Sequence, residues 1–367
     1  MVSARAASIG VIGGSWRAEY YLRAARELPD HFSVREVLVR TEQSAQRVGS
    51  RWGVSTTTSL EHFLAGAPYD YVVVSVPPEQ VSELILRLIE AGIPVLTETP
   101  PAPSVEALFS LYRSVGKAPI QVAEQYQFQP HQAARLAIVA AGTIGDVTNV
   151  RVSVAHGYHG LSLMRLALGV GFEPVSIFAT QLVEPVVSAR GRDGWNDSPR
   201  KYDSGRTLAT FRFGARSGLY DWNFEQYFSP IRSRHFDIYG TDGEINDDDV
   251  SYLSSPGHAT HVSLHRESTG IDGDLEGFYL RGISLGDTVC YENRFTGARL
   301  NDDELAVAEV MFRMSNYANT GESFYGLADA SQDQYLSLLT NQSIESGKTL
   351  QTADTPWATS VSIAARG

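Results

Sequence analysis

The sequence predicts an α/β protein in two parts: an amino-terminal Rossmann-type doubly wound parallel sheet, then an α+β region built on a mostly antiparallel sheet. Three observations carry that reading. Near-continuous apolar runs alternate with helical patterns over the first 125 residues. A glycine turn, Gly13-Gly14-Ser15, stands at the first strand–helix junction. Beyond residue 147 the apolar runs are rich in β-branched and aromatic residues and are separated by turn pairs such as Asp242-Gly243 and Asp272-Gly273.

Taken in order, "SIGVIGG" (8–14), "VREVLVR" (34–40), "YDYVVVSVPP" (69–78), "IPVLTE" (93–98) and "APIQVAEQ" (118–125) read as buried strands. Between them, "WRAEYYLRAARELP" (16–29) and "EQVSELILRLIEAG" (79–92) have helical spacing and end on Pro or Gly. Strands buried on both faces with crossover helices form parallel sheets. A helix within 130–147 precedes strands over 147–155, 173–183, 206–214, 217–226 and 232–240. Helices return over 302–317 and 328–348. The domains expected are 1–125, binding a dinucleotide, and 126–367, with the late helices packing back on the first domain. The polar stretch "SARGRDGWNDSPRKYDSGR" (188–206) reads as a long irregular loop, a lid or a binding segment. Its Arg190, Arg192, Arg200 and Lys201 could clamp an anion or be solvated.

Composition narrows the function classes. The 367 residues are 43% hydrophobic and 20% charged, with a net charge of -12. That balance argues against a general nucleic-acid or anionic-membrane binder. One cysteine, Cys290, excludes an internal disulfide and a cysteine-cluster metal site. The amino terminus enters a strand without a signal-length apolar run, and no stretch has membrane-spanning length, so a cytoplasmic protein is expected. Asp247 to Asp249 and Asp302-Asp303 read as turn residues, and no metal site is expected.

The glycine turn carries the first chemistry. A dinucleotide fingerprint needs one glycine for the tight turn, a second for close approach of the pyrophosphate, and a third small residue for helix–strand packing. Gly13 and Ala18 meet the first and third needs, whereas Ser15 holds the second position. Gly14 and Trp16 complete the turn, and the amides at the helix start suit a phosphate. The bland alternative is a glycine turn opening an ordinary α/β domain. At the end of the second strand, Arg40 and Thr41 favour the 2′-phosphate of NADP(H). Glu42 would restore NAD(H) if the register slips by two residues.

The segments "VIGGSWRA", "VSVPPEQ" (74–80), "LRLIEAGIPVLTETPPAPS" (86–104), "AAGTIGDV" (140–147), "GYHGLSLMRLALG" (157–169), "IYGTDGEI" (238–245) and "SGKTLQTADTPW" (346–357) follow one another in an order and spacing that resemble the glucose–fructose oxidoreductase / inositol dehydrogenase / MocA (Gfo/Idh/MocA) family over nearly the whole chain. The resemblance implies a Rossmann domain joined to a domain with a large open antiparallel sheet. It also implies NAD(P)-dependent oxidation or reduction of sugars, cyclitols and related hydroxyl compounds by a homodimer or homotetramer associated through the carboxy-terminal sheet. It implies Glu-Lys-Pro at a strand end and Asp-x-Gly-x-His-x-x-Asp later. This sequence has Glu98-Thr99-Pro100, and Ala155 and Ser162 stand at the acidic positions around Gly157 and His159.

A threonine hydroxyl orients an oxygen but supplies no charge, and a protonated imine would bring its own. The expectation is therefore an NADP(H)-dependent oxidoreductase reducing an activated C=O or C=N in a small polar substrate, with Thr99 in its site. His159, whose ordinary pKa near ~6.5 suits proton transfer in either direction, is the expected proton donor. His156 and Tyr158 could share that work; alternatively His159 only opens its helix. Val76 and Pro77 shape the cofactor wall, Glu98 belongs to the cofactor site, and Gln125, with Tyr126 and Gln127 beside it, faces the nicotinamide. The alternatives are a catalytically silent dinucleotide sensor and a redox-neutral enzyme holding NAD(H) tightly.

Overall fold

A computed structural model describes residues 5–66 and 68–366. The chain forms two compact units. One holds the chain up to Ala133 with Arg266–Ile283 and Tyr291–Ser331, and the other holds Ala134–His265, Ser284–Cys290 and the chain from Gln332 on.

The first unit opens with β1 (Ala7–Ile12), α1 (Ala18–Glu27), β2 (Phe32–Leu38), α2 (Glu42–Trp52), β3 (Thr56–Thr57) and α3 (Leu60–Ala65). It continues with β4 (Tyr71–Val74), α4 (Pro78–Glu90), β5 (Val95–Thr97), α5 (Val105–Val115) and β6 (Ile120–Val122), followed by α6 (Pro130–Ala140). Every pairing in its sheet is parallel, in the order β3-β2-β1-β4-β5-β6. The doubly wound sheet is thus as the alternating pattern predicts. Every residue of β1 and of β4 is buried, which is why both strands read as near-continuous apolar runs, broken in β1 by Ser8. The order reverses between β1 and β4, and ligands of such sheets bind at the carboxyl edge of that point.

The rest of the chain supplies β7 (Val147–Ser153), α7 (Gly157–Leu168), β8 (Ser176–Gly191), β9 (Gly194–Phe213), β10 (Arg216–Asn223), β11 (His235–Gly240), β12 (Gly243–Asn246), β13 (Asp249–Ser255), β14 (His258–Thr269), β15 (Tyr279–Leu285) and β16 (Thr288–Glu292). Helices α8 (Asp302–Thr320) and α9 (Leu327–Ser346) and a short β17 (Leu350–Gln351) follow. The large sheet runs β16-β15-β14-β13-β12-β11-β7-β10-β9-β8-β17. Strands β7 and β10 pair in parallel. The pairings from β14 through β11 to β7, and from β10 through β8 to β17, are antiparallel, so the sheet is mostly antiparallel as expected.

The expected loop over 188–206 is corrected. Those residues are ordered strand: β8 and β9 form a long hairpin with Val187 opposite Lys201, Ser188 opposite Arg200 and Gly191 opposite Gly194. Arg192-Asp193 is its two-residue turn. The stretch resembles a loop because most of its side chains are exposed and polar, while the backbone groups pair across the hairpin. Arg190 lies over the Trp195 ring and Arg192 over the Phe228 ring, each at 5.9 Å.

The acidic clusters bond to protein partners, and Asp302 and Asp303 lie in the first turn of α8, whose N-cap is Asn301. The Asp247 carboxylate accepts the Phe236 amide at 3.0 Å and contacts His235 Nδ1 at 2.7 Å. Asp302 pairs with Arg266 at 2.7 Å. Among the described residues no group of three or more His, Cys, Asp or Glu could hold a metal ion, and no helix is long and apolar enough to cross a membrane.

Candidate functional site

The turn after β1 is built around Gly13. Its φ of +127° is a region that side chains rarely adopt, and a Cβ there would sit 2.1 Å from the Ser75 carbonyl oxygen. Gly13 donates to the Leu38 carbonyl at 2.9 Å, and Ser75 to that of Ile12 at 2.8 Å, so β1, β2 and β4 converge where the turn begins. Arg17 occupies the N-cap of α1 without a side-chain hydrogen bond to the helix, whereas α2, α3 and α5 are capped by Thr41, Ser59 and Ser104. The first amides of α1 are thus not taken by a capping side chain, as a phosphate site needs.

A cavity of about 420 Å³ lies beside this turn, lined by Gly13, Gly14, Ser15, Arg40, Val76 and Pro77, all six expected there. Ser44, Thr58, Gln80 and Leu84 also line it and were not expected. At its β2 end Arg40 is exposed and has no ion pair among the described residues, with the Ser44 and Thr58 hydroxyls beside it. Thr41 plays a different part, since its hydroxyl accepts the Ser44 amide at 3.2 Å as the cap of α2. Glu42, the alternative ribose partner, accepts the Thr58 hydroxyl at 2.7 Å. Trp16 stands outside the lining, half-exposed and edge-on to Tyr20. The turn is braced from below by Arg47, which pairs with buried Glu19 at 2.9 Å and also bonds the Gly14 carbonyl. Arg51 reaches the same carboxylate at 3.1 Å.

At the carboxyl ends of β5 and β6 a second polar group forms. Glu98 is buried and takes Arg17 Nε at 2.5 Å on Oε1, which also accepts the Tyr21 hydroxyl, while its Oε2 accepts the Thr99 amide at 3.2 Å. A second guanidinium nitrogen, Arg17 Nη2, donates to Gln125 Oε1 at 3.0 Å. Burial works against the Arg17 charge, but adjacent Glu98 outweighs it and holds the guanidinium protonated. Thr99 is half-buried and precedes Pro100 across a cis bond. Glu124 lies one residue from Gln125, and burial pushes its carboxyl up to about 8 against the Tyr126 amide and Arg17. The folded state therefore holds a proton that an unfolded glutamate loses near 4.5, and this group's stabilising contribution is lost as pH rises through 8.

The histidine pair belongs to the second unit. His156 is the N-cap of α7 and His159 lies in its first turn, with ring centroids 5.0 Å apart and Tyr158 4.4 Å from His159. The Tyr227 hydroxyl accepts the His156 amide at 3.0 Å and also contacts His156 Nδ1 at 2.6 Å. Burial, reinforced by His159 and Arg192, pushes the His156 imidazole down to about 3. Near neutral pH His156 is thus a neutral hydrogen-bond partner and no reservoir of protons. His159 is buried, and its carbonyl accepts the Ser162 hydroxyl at 2.9 Å. The buried Ala155 carbonyl accepts the Tyr220 hydroxyl at 3.2 Å. Ser162 and Ala155 thereby fix the entry to α7 at two positions where the family resemblance implies acids.

Residues 7–126 match the family model described as an oxidoreductase family with an NAD-binding Rossmann fold, which is the family the motifs resemble. No curated protein matches the sequence. Among solved structures, the chain is similar to an oxidoreductase from Agrobacterium radiobacter in complex with NAD+, L-tartaric acid and magnesium, at 15% identity and a TM-score of 0.68 over 94% of this chain and 98% of that one. It is also similar to an NAD-binding oxidoreductase from Klebsiella pneumoniae, at 16% identity and TM-score 0.66 over 96% and 100% of the two chains. A myo-inositol dehydrogenase from Corynebacterium glutamicum superposes with TM-score 0.66 at 16% identity over 95% and 100%. These likenesses establish a shared fold.

Proposed function

We propose that this chain, a member of the Gfo/Idh/MocA oxidoreductase family through residues 7–126, is an NADP(H)-dependent oxidoreductase that reduces an activated C=O or C=N of a small polar substrate. The observation that carries the reading is the cavity at the sheet's switch point. One end is a glycine turn whose Gly13 admits no side chain, and the other presents Arg40 with two hydroxyls. The solved neighbours bound to NAD+ support a dinucleotide there, and Arg40 supports its 2′-phosphorylated form.

A bound nicotinamide supplies or accepts the hydride. The protein's part is to hold the diphosphate on the amides around Gly13 to Ser15, to pair Arg40 with the 2′-phosphate, and to keep the strand-end groups fixed. Arg40→Glu is expected to weaken NADPH binding about 10- to 100-fold, the worth of a charged hydrogen bond, while leaving NADH binding little changed. Titration of both nucleotides by fluorescence decides it, and tighter NADH than NADPH binding by the wild type would overturn the NADP(H) assignment.

Proton transfer is assigned to His159. His159→Asn is expected to lower kcat about 10²- to 10⁴-fold and to remove the near-neutral limb of the pH profile. An unchanged profile would return His159 to a helix-opening role. Thr99, Ala155 and Ser162 favour a second reading, a dinucleotide sensor without turnover, which predicts NADPH binding with no oxidation against any carbonyl or imine.

A further inference from the structure

We infer that Arg47 is a positioning residue for the dinucleotide's diphosphate: anchored on buried Glu19, it fixes the Gly14–Ser15 peptide by bonding the Gly14 carbonyl. The inference rests on the dinucleotide reading above and adds to it a residue from outside the turn. Ser15 is what makes such a residue necessary. It stands where the fingerprint has its second glycine, and a serine has a narrower choice of backbone conformation. The turn therefore adjusts less freely around a ligand and has to be set beforehand.

Arg47 lies on α2 and spends two nitrogens near the turn. Nη1 donates to Glu19 at 2.9 Å, and Nη2 donates to the Gly14 carbonyl. The approach is direct, since a Cβ on Gly14 would lie 2.8 Å from Val39 Cγ1 and 3.3 Å from Val48 Cγ2. In a planar trans peptide the N–H points opposite to the C=O. Holding the Gly14 carbonyl on the Arg47 side thus turns the Ser15 amide away from Arg47. Gly14 and Ser15 both line the cavity, and neither of their amides has an acceptor among the described residues. Glu19 lies in the first turn of α1, where an unpaired anion would oppose a diphosphate at the same helix end. Arg47 and Arg51 pair with it at 2.9 and 3.1 Å, so two cations against one anion leave the group net positive. Arg51 bonds the carboxylate and not the turn, whereas Arg47 bonds both. That difference separates a hold on the turn from cancellation of charge.

The test titrates the full chain calorimetrically with NADPH and with adenosine 2′-phosphate, which keeps the 2′-phosphate but lacks the diphosphate. NADH with adenosine makes the same comparison in a wild type that prefers NADH. Arg47→Met is expected to weaken the dinucleotide about 10-fold, the worth of a hydrogen bond from a charged group, and to leave the mononucleotide or nucleoside little changed. Arg51→Met should bind both ligands nearly as the wild type does. Arg47→Met/Glu19→Gln, which leaves no carboxylate short of a partner, should remain well below wild type for the dinucleotide. Restored affinity in that double variant, or an equal loss in Arg51→Met, would show that Arg47 only neutralises Glu19. A parallel loss of both ligands in Arg47→Met would make it a residue of general stability, and either result overturns the inference. A wild type that binds neither NADPH nor NADH would instead defeat the dinucleotide reading on which it stands, and the same titrations separate the two failures.

Discussion

Gly13→Ala is expected to abolish dinucleotide binding and to destabilise the first unit. The backbone at Gly13 has a φ of +127°, and an added Cβ would lie 2.1 Å from the Ser75 carbonyl oxygen, well inside van der Waals contact with a backbone atom that cannot rotate away. Relief requires the turn to move off β4 or Gly13 to change conformation. Either displaces the amides that would meet the diphosphate. Strain of this kind costs on the order of 1–3 kcal/mol, and NADPH affinity should fall by more than about 10²-fold because several charged hydrogen bonds lose their geometry together. Gly53→Ala is the control. Gly53 also has a positive φ, +68°, at the end of α2, but nothing lies within 4 Å of its Cβ position. That variant should lose roughly 1 kcal/mol of stability and keep NADPH affinity. Wild-type binding by Gly13→Ala would remove the turn from the site.

What the sequence made legible follows from how local each signal is. The glycine turn, the apolar strands and the switch-point cavity were readable because a turn, a strand and the helix after it are contiguous, and Gly13, Gly14, Ser15, Arg40, Val76 and Pro77 do line one cavity. The residues that were missed act at long range. Arg17 sits beside the turn in sequence, but that its guanidinium reaches Glu98 and Gln125, 81 and 108 positions away, depends on how helix and sheet pack. The brace of Arg47 and Arg51 on Glu19 left one trace, cations four residues apart on α2, which fits a solvated face equally well. Glu124 was not singled out in the sequence, and only the fold shows that it is 1% exposed. The hairpin over 188–206 failed for the opposite reason. Strands with no buried face lose the period-2 alternation that marks a strand, and Asp193-Gly194 was the single local signal of its turn. His156 was named as able to share proton transfer with His159, but burial, with His159 and Arg192 beside it, holds its imidazole neutral.

Asp333→Ala should be the most destabilising single change in the second unit. Arg165 on α7 pairs with Asp333 on α9 at 2.9 Å, and each side chain is 1% exposed. Its other nitrogens reach the Gly171 carbonyl at 3.1 Å and the Ser362 hydroxyl at 3.0 Å, and its guanidinium lies over the Phe172 ring. Removing the carboxylate takes away the partner that lies 2.9 Å from a buried guanidinium. Breaking a buried ion pair from one side is strongly destabilising, so the expected cost is about 3–5 kcal/mol, against near zero for an exposed pair such as Arg281 with Glu267. Thermal unfolding should drop by roughly 10 °C for a unit of this size. Arg165→Met/Asp333→Leu should recover most of that loss, since apolar packing can replace a buried pair without net cost. The pair also fixes α7, which carries His156, Tyr158 and His159 at its amino end. If the ion pair positions that helix, the double variant regains its melting temperature yet shifts the pH profile of turnover, in which His159 is the proposed proton donor. Recovery of both together would make the pair a packing feature alone, and an Asp333→Ala protein within about 0.5 kcal/mol of wild type would show that the Arg165 charge finds another partner.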